Sequence, residues 1–312
     1  MSLSLRFILL AAISASSLAA TAQQWALPKV SVAILRSEPR HASEQVSQVV
    51  MGTPLKISLK QGDWWKIETP EGYTGYVRNN TVAGLDDEAM DAWRKSPRVV
   101  VSTDATVYAM TFPDSSPESA RLTDLVNGSI LETLSDETTP GMTAVRLPDG
   151  RRGYMADSLL IPIERWANQE WNPDDMPCYA ARMMGAPYVW GGTSSKGMDC
   201  SGLTQICAYR QGVMLPRDAS QQVKVGTPVD RKETAAFRAG DLLFFGNVKT
   251  GRITHVAISK GGPAYIHSSA RVRVSSLDPD APDYENPGLI AVRRIDPATA
   301  LKLSLRNHPW YF

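Results

Sequence analysis

The first half of the chain alternates apolar and polar residues over short runs that turn residues separate. The runs are Val30–Leu35, Val46–Met51, Pro54–Leu59, Trp64–Ile67 and Tyr73–Val77. Alternation with a period of two is typical of half-buried β-strands, and closely spaced strands of this kind are typical of a small barrel. We therefore predict a small all-β domain over residues 23–85.

A second series of strand-like runs follows a short helical linker, which is predicted over residues 86–96. The runs are Val99–Val101, Ala105–Tyr108, Ser129–Leu134, Thr143–Leu147 and Arg152–Met155. The two series share an element, because Pro70–Val77 resembles Pro148–Met155 at an offset of 78 residues. An internal repeat predicts two copies of one structural unit, so a second all-β domain is expected over residues 97–162.

Periodicity changes around Cys200. The apolar positions that follow it are Leu203 and then Ile206 and Cys207, three and four residues further on. Spacings of three and four mark one face of a helix, and Gly212 ends the pattern. The cysteine then lies in the first helical turn, where unpaired backbone N–H groups favour a negatively charged sulfur. We interpret Cys200 as a candidate nucleophile; the alternative is a small buried cysteine at a helix start.

Two histidines accompany this cysteine. The runs Ile253–Ile258 and Ala264–Ser268 predict a β-hairpin, and a turn centred on Gly261 would place His255 directly opposite His267 on one face. One imidazole can then act as general base and the other can orient it. Two alternatives are unrelated histidines, one of them a core residue, and a zinc site formed with the cysteine.

An ordered series of motifs carries a resemblance to the NlpC/P60 cell-wall peptidases. The motifs are Tyr188–Gly192, Asp199–Leu203, Leu215–Asp218, Ala239–Phe245, Thr254–Ile258 and Ile266–His267. The resemblance implies a papain-like α+β fold for a catalytic domain over residues 163–312. It also implies that the substrate is the peptide stem of peptidoglycan, cut between γ-D-glutamate and meso-diaminopimelate or lysine.

The resemblance also implies a role for each catalytic residue. Cys200 would be the nucleophile, His255 the base and His267 the orienting third member of a triad. Tyr188 would lie near the sulfur and help to shape the oxyanion site. No metal or cofactor is expected.

Both all-β domains resemble bacterial SH3 domains, which bind cell wall or close one end of a peptidase cleft. By this resemblance Glu44 and Tyr73 of the first domain would line the substrate site. Glu44 and Asp218 would then hold the free ammonium of an L-Ala-γ-D-Glu-diamino acid peptide. The alternatives are a solvated loop acid for Glu44, a barrel residue for Tyr73 and a helix N-cap for Asp218.

The pocket for the glutamyl residue is assigned by the same resemblance. Trp190, Asp199 and Ser201 would line it, and Ser201 would be a hydrogen-bond donor to the substrate carboxylate. Asp241, which lies in a turn before an apolar strand, is interpreted as structural.

Residues 1–22 have the features of a secretory signal peptide. Arg6 precedes the apolar run Phe7–Ala12, and Ala20–Ala22 forms a cleavage site. We therefore expect an exported protein, either periplasmic or secreted, without stable insertion in a membrane. The chain has 33 Lys and Arg against 32 Asp and Glu and a net charge of +1, which gives no electrostatic reason to bind nucleic acid. A monomer is expected.

The chain has 3 cysteines, which is too few for a disulfide framework. Cys207 and Cys178 are both expected to be buried, and a disulfide between them is the alternative.

Three competing functions follow from the residues and remain to be tested. They are a non-catalytic wall-binding module, an amidase or acyltransferase of the papain-like group, and a hydrolase of intact peptidoglycan.

Overall fold

The structure is a computed structural model that describes residues 24–113 and 118–312. The predicted signal peptide, residues 1–22, lies outside the described residues. Three parts follow one another: an antiparallel sheet, a second antiparallel sheet, and a part that combines helices with a third sheet. No helix among the residues described is long and apolar enough to cross a membrane.

The first sheet contains seven antiparallel strands in the order β3-β2-β6-β5-β4-β1-β7. Its strands are β1 Trp25–Pro28, β2 Val32–Arg36, β3 Gln45–Val50, β4 Leu55–Gln61, β5 Trp64–Glu68, β6 Thr74–Arg78 and β7 Val82–Leu85. The sequence pattern missed β1 and β7. Strand β1 is buried along its whole length, so it shows no alternation, and β7 has only one fully buried residue.

The second sheet repeats this topology, with the order β10-β9-β13-β12-β11-β8-β14. Its strands are β8 Arg98–Val101, β9 Val107–Met110, β10 Arg121–Leu125, β11 Ile130–Thr139, β12 Met142–Arg146, β13 Arg152–Ala156 and β14 Leu160–Pro162. Adding seven to each label of the first sheet reproduces the second order, and β13 lies at the predicted offset from β6. The internal repeat is therefore confirmed, and helix α1, Asp87–Lys95, lies between the two sheets.

The third part is built around a six-stranded sheet in the order β17-β22-β18-β19-β20-β21. Its strands are β17 Thr227–Val229, β18 Ala239–Asn247, β19 Arg252–Gly261, β20 Ala264–Ser269, β21 Arg271–Ser276 and β22 Leu289–Arg294, with a small hairpin of β15 Thr193–Ser194 and β16 Gly197–Met198. Its helices are α2 Ile163–Ala167, α3 Asp175–Ala181, α4 Cys200–Tyr209, α5 Ala219–Gln222 and α6 Pro297–Lys302. All-β sheets followed by an α+β part confirm the predicted fold class.

Alternate side chains of β18 show how this sheet is covered. Leu242 and Phe244 join the cluster that includes residues of α3 and α4, whereas Leu243 and Phe245 join a second cluster on the other side. Both faces of the sheet are therefore buried, which explains why β18 reads as a continuous apolar run. The result is a rigid support for α4.

One apolar cluster joins all three parts. Trp25 comes from the first sheet, Trp93 from α1, Val100 from the second sheet, and Trp166 and Tyr311 from the third part. These side chains are nearly or fully buried. Burial of large apolar side chains is the main favourable term in folding, so this cluster fixes both sheets against the third part.

Candidate active site

Cys200 is the first residue of α4 and is buried. Asp199 caps the helix by accepting a hydrogen bond from the Gly202 N–H at 2.7 Å. Backbone groups of Ser201 and Val256 hydrogen-bond the sulfur. Because Val256 follows His255 on β19, the thiol packs against the strand that carries the proposed base.

His255 and His267 are in direct contact. Nε2 of His255 lies 2.8 Å from Nδ1 of His267, and the ring centroids are 5.0 Å apart. This is a hydrogen-bond distance, and it is shorter than the separation of about 3.3 Å between two nitrogens that each bind a tetrahedral zinc ion at about 2 Å. Within the described residues no group of three or more His, Cys, Asp and Glu forms a metal site.

The predicted register of this hairpin is wrong by two residues. Ser259 pairs with Tyr265, and Gly261 pairs with Ala264 after a register shift, so the turn falls at Gly262 and Pro263 rather than at Gly261. A shift by an even number of residues keeps every side chain on its original face. The two histidines therefore still meet, but as diagonal neighbours instead of directly opposite residues.

Burial controls the protonation of the candidate nucleophile and the candidate base. It raises the pKa of the Cys200 thiol to about 11, helped by the nearby charge of Asp199, although hydrogen bonds from Val256 and Ser201 lower it. Burial also lowers the pKa of His255 to about 4. The stabilised thiolate expected at the helix N-terminus is therefore opposed by desolvation, and both groups favour their neutral forms.

Tyr188 is half-buried beside this pair. Burial raises its pKa to about 12, and the neighbouring Cys200 and Asp199 add to the effect, so its hydroxyl remains protonated and available as a donor. The backbone N–H of Tyr188 donates to Ala270 O at 2.9 Å. The residue is thereby held between the loop that precedes α4 and the turn after β20.

Asp199 is buried in a network that sequence reasoning missed. Nη1 and Nη2 of Arg217 lie 3.1 and 2.5 Å from its two carboxylate oxygens, and Gly191 N–H donates to it at 3.0 Å. Nη1 of Arg217 also donates to Ser201 Oγ at 2.9 Å. Asp199 and Ser201 are therefore fixed by an arginine that is 2% exposed. A buried aspartate needs a cationic partner. This requirement was the one indication in the sequence that an arginine would lie beside Asp199.

Arg217 also links the first sheet to the catalytic part. Its Nε donates to Ser47 Oγ of β3 at 2.9 Å. From the same sheet, Glu44 accepts a hydrogen bond from Trp190 Nε1 at 2.8 Å, while Gln45 donates to Trp190 O at 3.0 Å. The loop ahead of the nucleophile is thus held by β3 and the turn before it.

The structure brings Glu44, Tyr73 and Asp218 together. Tyr73 hydrogen-bonds the Asp218 carboxylate, and Glu44 is close enough to raise its pKa. Burial raises the pKa of both Asp218 and Tyr73. The negative charge of Asp218 raises the pKa of Tyr73 further. Asp218 is also the N-cap of α5, where its N–H donates to Gln221 Oε1 at 3.0 Å. The predicted structural role of Asp218 is therefore confirmed beside its place in the cluster.

Asp241 is structural, as predicted. Its two carboxylate oxygens accept hydrogen bonds from Arg294 at 2.7 Å each.

Cys207 is fully buried, as predicted, but Cys178 is exposed and both cysteines are free. The prediction for Cys178 failed because its short helix buries other residues.

Two family models match the chain. Residues 185–292 match the NlpC/P60 family, and residues 31–83 match the bacterial SH3 domain. Among solved structures, an NlpC/P60 family protein from Bacillus cereus superposes with a TM-score of 0.72 at 22% identity, covering 86% of this chain and 99% of that one. This likeness shows that the two proteins share a fold.

Two relatives extend over most of the chain. Dipeptidyl-peptidase 6 of Lysinibacillus sphaericus is 31% identical over 261 residues, covering 81% of this chain and 92% of the relative. Gamma-D-glutamyl-L-lysine dipeptidyl-peptidase of Bacillus cereus is 28% identical over 256 residues, covering 78% of this chain and 73% of the relative. The chain therefore belongs to the NlpC/P60 family and is a cysteine peptidase with a bacterial SH3 domain ahead of its catalytic part.

Proposed function

We propose that this protein is a γ-D-glutamyl-L-diamino acid endopeptidase that acts on free peptidoglycan stem peptides with an unblocked N-terminal L-Ala. The observation that carries the proposal is the cluster of Glu44, Tyr73 and Asp218 close to the buried network around Cys200. Two carboxylates and a phenol suit a substrate ammonium group. The name of the Bacillus cereus relative specifies the γ-D-glutamyl-L-lysine bond, which supports the same bond class here.

The proposed reaction uses three side chains at the reacting atoms. Cys200 Sγ attacks the γ-carbonyl carbon of D-Glu while its proton passes to His255, which His267 orients. The C–N bond then breaks, and His255 returns the proton to the leaving amine of the diamino acid. Water, activated by His255, hydrolyses the thioester, releases L-Ala-D-Glu and restores the thiol. Tyr188 donates to the oxyanion that forms in each addition step.

The remaining residues are proposed to hold the substrate. Glu44 and Asp218 bind the ammonium of L-Ala, with Tyr73 beside them. Trp190, Asp199 and Ser201 line the glutamyl pocket. In this proposal the peptide enters amino end first, and a blocked amine binds poorly because it lacks the positive charge that the exposed Glu44 and the half-buried Asp218 attract.

The test is digestion of three substrates followed by mass spectrometry. They are L-Ala-γ-D-Glu-meso-diaminopimelate, its N-acetylated form and intact sacculi, each with the wild type and with Cys200→Ala. We expect cleavage of the free tripeptide alone, lost in the variant. Cleavage of all three would mean an open groove that reads no ammonium, and cleavage of none would favour a wall-binding module. Transfer of the L-Ala-γ-D-Glu group to an added amine would indicate an acyltransferase.

Glu44→Gln tests the ammonium site directly. The amide keeps an oxygen for Trp190 Nε1 but removes the negative charge, so we expect kcat/KM for the free tripeptide to fall about tenfold or more. Glu38→Gln is the matched control, because Glu38 lies in the same loop, is exposed and pairs with Arg40. Equal effects of the two substitutions would remove Glu44 from the site.

The cellular setting is part of the proposal. We propose export through the signal peptide at residues 1–22 and action as a monomer in the periplasm or at the wall, in the recycling of peptidoglycan peptides. N-terminal sequencing of the protein from culture fractions tests the first point, and a cytoplasmic protein that retains residues 1–22 would contradict it.

A further inference from the structure

His267, the side chain against the proposed base, is fully enclosed. It is 1% exposed, and the ring of Tyr265 lies against it with centroids 5.1 Å apart. Its Nδ1 faces His255, and its Nε2 lies 3.2 Å from Ser275 Oγ. Each ring nitrogen therefore has one hydrogen-bond partner, and Glu285 Oε2 lies 3.7 Å from Nε2. The position of the single proton on a neutral imidazole decides which nitrogen donates.

Beyond Ser275 lies an ion pair with fixed hydrogen-bonding directions. Arg273 Nη1 donates to Ser275 Oγ at 2.7 Å, and Arg273 Nη2 donates to Glu285 Oε2 at 2.6 Å. Ser275 Oγ donates to the same Glu285 oxygen at 3.0 Å. An arginine can only donate and a carboxylate can only accept, so neither end of this arrangement can be reversed.

We propose that Arg273 and Glu285 set the tautomers of both histidines through Ser275, and thereby leave Nδ1 of His255 as the proton acceptor for catalysis. This inference rests on the proposed function, because it takes His255 as the base. Arg273 and Glu285 are positioning residues in this scheme, because neither one touches the reacting atoms.

The direction follows one bond at a time. Ser275 has one hydroxyl proton, and turning it away from Glu285 would leave two oxygens 3.0 Å apart with no proton between them, one of them charged. The proton therefore stays on the carboxylate side. The free lone pair of Ser275 then requires a proton on His267 Nε2.

The tautomer of His255 follows from that of His267. With its proton on Nε2, His267 presents a lone pair at Nδ1. The contact of 2.8 Å to His255 Nε2 then requires a proton on that nitrogen, so the lone pair of His255 is at Nδ1. The neutral ring of His255 has no other nitrogen that can accept a proton. Its proposed proton source is the thiol of Cys200, which lies beside Val256.

The charges and groups around the pair support this arrangement. Arg273 pairs across the strands with His267, and Glu285 is held at its backbone by Ser276 O at 2.8 Å and by the Tyr265 hydroxyl at 2.7 Å. Burial lowers the pKa of His267 to about 3, helped by the charges of His255 and Arg273. The ring is therefore neutral at pH 7. A neutral ring is what the proposed tautomer relay, the hydrogen-bond series from Glu285 through Ser275 and His267 to His255, requires.

The first test reads the tautomers without measuring activity. In protein labelled with ¹⁵N-histidine, two-bond and three-bond proton–nitrogen correlations at pH 7 identify the protonated nitrogen of each ring. We expect a neutral Nε2–H form for both His255 and His267. An Nδ1–H form or a doubly protonated ring at either position would overturn the proposal. His41→Asn and His308→Asn spectra provide the assignment.

The second test changes the end of the relay. Glu285→Ala frees the Ser275 hydroxyl to donate to His267, so we expect Nδ1–H to appear in the spectrum and kcat to fall about 10- to 100-fold, with KM changed less than about twofold. Glu285→Gln keeps an acceptor oxygen and should recover most of kcat. Asp149→Ala, which breaks the remote Arg151 ion pair, is the control and should change neither readout.

The outcomes separate this proposal from the proposed function. Nε2–H tautomers in a protein that does not cleave the free tripeptide would remove the proposed substrate and keep the relay. Cleavage of the tripeptide together with unchanged kcat in Glu285→Ala would keep the function and remove the relay. A loss of kcat in Glu285→Gln equal to that in Glu285→Ala would also contradict the relay, because the amide retains the acceptor.

Discussion

Individual side chains around Cys200 are satisfied by partners that lie far away in sequence. Asp199 is paired with Arg217, which reaches Ser47 of the first sheet. His267 is paired with Ser275 and, through it, with Glu285. Buried polar groups are costly unless they are hydrogen-bonded, so these partners are as necessary to the site as the nucleophile.

Arg217→Met should be strongly destabilising. It leaves the buried Asp199 without its cation, and removing one partner of a buried ion pair costs about 3–5 kcal/mol. Asp199→Asn in the same chain should recover part of this loss, because the buried charge is then gone. Urea unfolding measures both. Arg40→Met breaks the exposed pair with Glu38 and serves as the control. Equal effects at positions 217 and 40 would contradict the prediction.

The acid limb of the pH–rate profile should lie near pH 4. His255 must be neutral to accept a proton, and burial lowers its pKa from 6.5 to about 4, so log kcat/KM should remain level from pH 7 to about pH 5 and fall below it. A midpoint near 6.5 would contradict this. His41→Asn is the control, since His41 packs edge-on against Trp64 of the first sheet, away from the two histidines of the site.

The same shift affects stability. A histidine whose pKa is lowered by folding binds protons more readily in the unfolded chain, so its contribution to stability is full above pH 6.5, falls as the pH drops from 6.5 to about 4, and does not fall further below that. Circular dichroism at each pH of the rate profile separates unfolding from loss of the base.

At the scale of elements, α4 depends on its close approach to the loop before it. A Cβ on Gly202 would lie 2.0 Å from Gly192 O, closer than any contact that real side chains make. Only glycine therefore allows the helix start to lie against this loop. The contact fixes where Cys200 emerges.

Gly202→Ala should therefore lower both activity and stability. The helix start must move away from Gly192, and a displacement of about 1 Å at the nucleophile costs roughly 100-fold in rate; overpacking costs about 1–3 kcal/mol. Tripeptide hydrolysis and urea unfolding measure the two effects. Glu88→Ala on the exposed side of α1 is the control, and retention of wild-type kcat by Gly202→Ala would contradict the prediction.

Sequence patterns predicted elements better than registers. The periodicity after Cys200 and the alternation around His255 and His267 are local signals, and each produced the observed element. The turn of the hairpin was misplaced because two consecutive glycines and a proline offer several centres, and only packing selects among them. The roles of Glu285 and Arg217 could not be predicted, because the local sequence does not show which carboxylate or arginine elsewhere in the chain will pair with a buried polar group.

At the scale of the whole molecule, the two sheets and the catalytic part share one core. The common cluster takes Trp25 from β1, Val100 from β8, and Trp166 and Tyr311 from the third part. Separating any part would expose large aromatic surface to water. The proposed substrate site depends on this arrangement, since Glu44 and Tyr73 directly precede strands of the first sheet and Asp218 belongs to the catalytic part.

Unfolding should therefore be a single cooperative transition despite the length of 312 residues. Tryptophan fluorescence reports on the shared core and far-UV circular dichroism on all three parts, and the two urea curves should coincide. Trp166→Ala should destabilise the protein by about 3–5 kcal/mol and shift both curves together. Phe112→Ala, at a side chain that is 48% exposed, should move neither. Two separate transitions, with the catalytic part unfolding after the sheets, would contradict the shared core, because the first sheet could then unfold while the proposed triad stays folded.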